Sequence, residues 1–254
     1  MVNKNNNLNP KFEKNSESVF GNWVWVAIFA IAFAWVESAI VVYLREIFFD
    51  GGFSFPLAVM WEGGKHVVDP LIRIEFAREI ATITMLAAVG WIAGKNRFQK
   101  FCFFMIVFGI WDIFYYIWLY VMVGWPGSIM TWDLLFYVPL PWVGPVITPV
   151  LIAFAMAAAG SLIIYYDEKG YDIRWRWYDM VVELSCGLIM IVAFCWDWKN
   201  IIQAPGDIER TGIPNPFAWR LYLPAYMFSI AWFAVRLRRI IIAGHPRKSR
   251  FLKK

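Results

Sequence analysis

The chain has 254 residues, 60% of them hydrophobic and only 17% charged, with a net charge of +5 at neutral pH. A soluble chain of this length needs a larger charged fraction to cover its surface, and the mean hydropathy of +0.53 points to lipid as its solvent. The basic residues stand in short clusters between apolar runs, as lipid headgroups and the positive-inside rule distribute them, which argues against a nucleic-acid partner.

Residues 1–20, rich in Asn and Lys, have no apolar core and no small-residue cleavage site. They are read as a disordered cytoplasmic tail rather than a signal peptide, with the first span acting as its own insertion signal. A spanning helix needs about 20 mostly apolar residues. Runs of this kind lie near 22–44, 79–94, 101–123, 142–166, 178–196 and 218–243. The second is short and borrows its first turn from the charged stretch beginning near Arg73. The fourth lies in a stretch, 134–166, without any Asp, Glu, Lys, Arg or His. As one helix that stretch would reach about 50 Å, well beyond a core of roughly 30 Å. Pro139, Pro141, Pro145 and Pro149 resolve the excess, because proline suits a first helical turn and disrupts a helix interior. Residues 131–140 are therefore expected as an interfacial or re-entrant piece, with the span starting near Pro141–Pro145.

The expected fold is an all-α integral membrane protein, a single polytopic bundle of about six transmembrane helices over 21–243, followed by a basic cytoplasmic tail at 244–254. Lys4, Lys11 and Lys14, then Lys95, Arg97 and Lys100, then Lys169, Arg174 and Arg176, and finally the arginines and lysines from Arg236 to Lys254 fall on one side of a six-span model. The opposite connection at 124–141 has no Lys or Arg. That alternation places both termini in the cytoplasm, and with no organelle address visible the membrane is expected to be the cytoplasmic (inner) membrane of a prokaryote. No internal repeat is evident. Trp111-Asp112, Trp132-Asp133 and Trp196-Asp197 recur at unequal spacing and read as interfacial tryptophans next to acids.

Small residues mark helix contacts. Gly90 and Gly94 form a GxxxG pair, and Ala153, Ala155, Ala157, Ala158, Ala159 and Gly160 let the fourth span approach its neighbours, within the monomer or in a dimer. Cys102, Cys186 and Cys195 lie in or at the ends of apolar runs without CxxC spacing and read as packing residues.

Ionisable groups inside hydrocarbon cost several kcal/mol unless paired or hydrated, so each asks for a reason. Glu37 falls about 6 Å beyond the middle of the first span, and Asp112 near the midplane of the third. Tyr115 and Tyr116, three and four residues later, share the Asp112 face and are placed to donate hydrogen bonds to it. Gly109 is expected to open room beside that face. Glu79 enters the second span beside Arg73, Glu75 and Arg78, and Glu183 lies about 8 Å to the inner side of the fifth. Together Glu79, Glu37, Asp112 and Glu183 form a staircase of carboxylates, the pattern a proton or cation path needs, with Arg78 and Arg45 as counter-charges for Glu37. The plainer reading is local pairing. Arg78 would bond Glu75 at i, i+3, Asp179 and Glu183 would pair with Arg174 or Arg176, and Asp133 and Asp197 would be interfacial and hydrated.

No cofactor and no metal is expected: His66 and His245 are the only histidines, and a carboxylate-only site lacks the histidine usual in di-iron bundles. No nucleophile–base pair or phosphate loop stands in a fitting context, so catalytic residues are not assigned. The long connections 45–76, with its apolar stretch Phe53–Trp61, and 197–217 are expected to pack over something or cover a cavity.

Three functions fit. A small-solute or ion transporter coupled to protons or cations would use Glu37 and Asp112 as coupling acids. An intramembrane enzyme acting on a lipid or lipophilic substrate at the outer leaflet would use Glu37 or Glu79 as acid/base and Arg78 as an anion clamp. A non-catalytic subunit would anchor a partner complex through its aromatic loops. The partners expected are membrane lipids, with a membrane-protein partner or a homo-oligomer left open.

Overall fold

A computed structural model describes residues 10–48, 69–136, 142–171, 173, 175–196 and 217–244, with backbone alone at 10–20, 48 and 69–72. Six helices and one hairpin fill these segments: α1 (Pro10–Phe48), α2 (Asp69–Ala93), α3 (Arg97–Val123), β1 (Trp132–Phe136), β2 (Trp142–Pro145), α4 (Ile147–Glu168), α5 (Trp177–Cys195) and α6 (Trp219–Ala243). α1 to α5 are each long and apolar enough to cross a membrane. α6 has 25 residues, and its stretch from Leu221 to Val235 carries no charge between Arg220 and the terminal arginines Arg236, Arg238 and Arg239. The protein is an all-α, multi-pass membrane bundle. Its outward faces carry large apolar side chains, such as Ile92, Trp25, Ile47 and Leu184, in the positions lipid would cover.

α3 is the central helix. It packs against α1, α2 and α4, and half of its membrane window is buried, the largest share among the five. Backbone contact makes this possible. A Cβ on Gly109 would stand 2.3 Å from the Ala153 carbonyl, and one on Gly160 would stand 2.7 Å from the Cys102 carbonyl, so α3 and α4 touch through their small residues. Gly90 and Gly94 do the same for α2 against the start of α3, with Phe104 N and Lys100 N at 2.6 and 2.3 Å from the would-be Cβ atoms. The GxxxG pair thus serves packing inside the chain. The expectation for Gly109 is corrected: the space it opens is filled by α4 and does not lie free beside Asp112. α5 and α6 form a second pair, joined to the rest through the hairpin and α4.

Caps close the turns. Asn96 Oδ1 accepts from Gln99 N at 2.9 Å to start α3, and Gly124, in the left-handed region at φ 69°, ends it by donating to the Tyr120 carbonyl at 2.9 Å. The α2–α3 and α4–α5 connections meet at one end of the bundle, where Gln99 Nε2 donates to Asp167 Oδ2 at 2.7 Å and Lys95 lies 4.0 Å from Glu168. Lys95, Lys100 and Lys169 therefore share that end, and the hairpin lies at the other.

Two expectations need correction. α1 is already helical at Pro10, within the segment read as a disordered tail, because propagating an existing helix adds one hydrogen bond for each residue fixed. The Pro-rich stretch before the fourth span takes the form of a β-hairpin, and the helix begins at Ile147 rather than at 141–145. β1 pairs antiparallel with β2, Trp132 opposite Pro145, Asp133 opposite Gly144 and Leu134 opposite Val143, with a register shift between Leu134 and Phe136. The ladder continues beyond Pro145 through Val146 N to the Thr131 carbonyl and Ile147 N to the Ile129 carbonyl, both 2.9 Å. Prolines deny this stretch a helical hydrogen-bond set, so a paired strand satisfies its buried backbone instead. Gly144 lies so close to Phe194 and Phe217 that an added Cβ would stand 3.1 Å from each ring, which seats the hairpin on α5. The stretches 53–61 and 198–216, with Asp197, His66 and His245, lie outside the described residues.

Candidate functional site

The hairpin end of α1, α2 and α3 gathers most of the charged groups singled out in the sequence. On α2, Glu75, Arg78, Glu79 and Thr82 recur at i, i+3, i+4 and i+7 and so share one face. Arg78 joins two acids. Its Nη1 donates to Glu37 Oε2, and its Nε lies 2.9 and 2.8 Å from the two oxygens of Glu75. Thr82 Oγ1 donates to the other Glu37 oxygen at 2.6 Å. Glu37 is thus only 3% exposed with both oxygens met, and Glu79 beside it is buried and partnered. Both readings of Arg78 hold at once: it pairs with Glu75 on its own helix and neutralises Glu37 across to α1.

About two helical turns further along α1 the arrangement changes. Arg45 turns to Asp133 on β1, with Nη2 3.6 Å from Oδ1, and lies over the Trp125 ring with Cζ 5.4 Å from its centroid. Tyr116 Oη donates to Asp133 Oδ2 at 3.1 Å. Asp133 is 1% exposed, which corrects the reading of it as interfacial and hydrated: the hairpin folds its strand inward against α3. Burial pushes the Asp133 carboxyl up from its ordinary value, while Arg45 and Tyr116 pull it back down. Arg45 therefore serves Asp133, and Glu37 has Arg78 as its arginine.

Asp112 stands beside this group. It is 8% exposed, and no hydrogen bond reaches its Oδ2. The charge that acts on it is another carboxylate, Asp133. Neither tyrosine expected to serve it donates to its Oδ2. Tyr116 donates to Asp133, and the Tyr115 main-chain carbonyl lies 3.0 Å from Ser38 Oγ on α1. Trp111, Tyr115, Tyr116 and Trp125 form a continuous run of rings with centroids 5.1 to 6.3 Å apart. Among the described residues of this cluster, Glu37, Glu75, Glu79, Asp112 and Asp133 outnumber Arg45, Arg73 and Arg78. An acid-rich, mostly buried cluster of this kind suits a proton or another cation better than an anion.

Glu183 belongs elsewhere, which breaks the four-acid staircase. It lies between α5 and α6, where Ser229 Oγ donates to its Oε2 at 2.5 Å. One turn away Asp179 is met by Arg236 at 2.7 Å, by Trp232 Nε1 at 3.2 Å and by the backbone N of Arg176 at 2.9 Å. Arg176 thus meets Asp179 through its backbone N–H and the ion pair comes from α6, while Arg174 lies outside the described residues.

Sequence reasoning missed Ser38, Thr82 and the role of Asp133. Ser38 and Thr82 carried a faint signal as hydroxyls near buried acids at helical spacing. Among the described residues no group of three or more His, Cys, Asp or Glu side chains is placed to hold a metal ion. No protein-family model, curated protein or solved structure is similar to this chain.

Proposed function

We propose that the protein is a small-solute or ion transporter coupled to protons or cations, with Asp112 as the exchanging acid and Glu37 as the second coupling acid. One observation carries this reading: Asp112 is buried in the central helix with an unpartnered carboxylate oxygen and another acid as the charge that acts on it. A packing role would be served by donors such as those that Glu37 receives from Arg78 and Thr82. A carboxylate without donors is stabilised only when a proton or cation joins it, which is the property a coupling site uses. Glu37, tied to Arg78, sets the local field and fixes α1 against α2.

The same reading puts the protein in a prokaryotic cytoplasmic membrane with both termini inside, supported by the basic connections gathered at one end of the bundle. Fluorescent-protein and alkaline-phosphatase fusions at the C-terminus test the orientation: fluorescence without phosphatase activity is expected, and the reverse refutes it. Transport is tested by electrical recording from proteoliposomes adsorbed on a solid support and challenged with sodium, potassium, amino acids and sugars across a pH gradient. Wild-type protein should give a current with at least one class, and Asp112→Asn should abolish its pH dependence. Silence of folded wild-type protein across the panel contradicts the reading.

A further inference from the structure

The cation already present beside the exchanging acid is Arg45, and its setting is unusual for a structural ion pair. Charge-assisted hydrogen bonds between guanidinium and carboxylate run at about 2.7–2.9 Å, and a buried pair holds best with such geometry. Arg45 and Asp133 are 3.6 Å apart although both side chains are less than a tenth exposed. Asp133 Oδ1 receives no hydrogen bond, and neither does Asp112 Oδ2. The guanidinium also lies over Trp125, with Cζ 5.4 Å from the ring centroid.

We propose that Arg45 is a tethered competitor for the site's proton: it closes the hairpin end by holding Asp133, and a proton arriving on Asp133 displaces it and opens the path to Asp112. The inference rests on the transport reading of the same acids. The exchange balances simply. A proton bonds to a carboxylate oxygen of Asp133, the ion pair is lost, and the still-charged guanidinium moves toward the headgroups on its flexible stem while the aromatic run stays in place. Arg45 from α1 and Tyr116 from α3 act on Asp133, Asp133 in turn acts on Asp112, and Tyr115 from α3 stands within the field of Asp133, Arg45, Arg78 from α2 and Glu37 from α1. Of these, Glu37 and Arg78 neutralise each other, which leaves Arg45 as the cation in play. Burial raises Asp133 toward protonation while Arg45 opposes it, so the two cations contend for one carboxylate.

Ser38 offers a reporter. It lies seven residues before Arg45, on the same α1 face, and is fully buried beneath it. In a chain with Cys102, Cys186 and Cys195 changed to Ala, Ser38→Cys is labelled in nanodiscs with a charged, membrane-impermeant methanethiosulfonate, and its rate is divided by that of an exposed Ile129→Cys control. The relative rate should rise by about tenfold or more on going from about pH 8 to about pH 5, the shift expected when an equilibrium moves by roughly 1.4 kcal/mol. Arg45→Gln and Asp133→Asn should label fast at every pH, and Arg45→Lys should keep the pH dependence. A flat profile in the Ser38→Cys chain with native Arg45 and Asp133 overturns the proposal, and so does fast labelling of that chain at high pH. If Arg45→Gln fails to fold, that pH series alone decides. Labelling that responds to pH in a protein that carries no current would sustain the gate and sink the transport reading, whereas current with flat labelling would do the reverse.

Discussion

Two buried acids, Asp179 on α5 and Asp112 on α3, meet the same cost in opposite ways. Asp179 receives an arginine, an indole N–H and a backbone N–H, so its charge is offset from three directions and it locks α5 to α6. Asp112 has an oxygen with no donor at all and another acid as the charge that acts on it. A bundle able to surround one carboxylate with donors has left another without them. On the proposed transport reading, the difference makes Asp179 structural and Asp112 the group poised to bind a proton or cation.

The largest expected effect sharpens that contrast. Asp179→Ala strands Arg236 in the α5–α6 seam and should destabilise the protein by about 3–5 kcal/mol, the cost of breaking a buried pair from one side. Asp112→Asn removes no favourable contact and should leave stability within about 1 kcal/mol of wild type or raise it. Thermal unfolding in detergent compares the two, and equal losses would erase the distinction. Next in size is Gly109→Ala, whose Cβ would collide with the Ala153 carbonyl. It should cost about 1–3 kcal/mol by forcing α3 from α4, read in the same assay.

These contrasts also show what the sequence made legible. Apolar run lengths located the helices, because lipid solvation leaves a chain few other ways to satisfy its backbone. Pro139, Pro141 and Pro145 before α4 signalled that helix would fail there, but strand pairing depends on which distant backbone lies alongside, and composition does not carry that information. Depth put both Arg78 and Arg45 within reach of Glu37, and only the fold assigns Arg78 to Glu37 and Arg45 to Asp133. Asp133 could not be found, since only the inward fold of the hairpin buries it, and Glu183 was misassigned because helix rotation and neighbour order are absent from a hydropathy profile.

Smaller effects probe the edges of the comparison. The folded Asp133 carboxyl is raised above its unfolded value near 3.8, so its contribution to stability is fully present below that value and is lost as pH rises through the folded one. Asp133→Asn should flatten that part of the stability–pH curve, measured by unfolding across a buffer series, and an unchanged curve would place the titration elsewhere. Thr82→Val deletes one hydrogen bond to Glu37 while keeping the shape, and should cost about 1 kcal/mol without altering pH-dependent transport.

The most direct test is infrared difference spectroscopy of the reconstituted protein between low and high pH. The wild type should show protonated-carboxyl carbonyl intensity that fades as pH rises and shifts on deuteration, and Asp112→Asn should lose the Asp112 part of it while the Asp133 part remains. A band of equal size in both proteins, or none in either, would mean that the unpartnered acid of the central helix exchanges no proton.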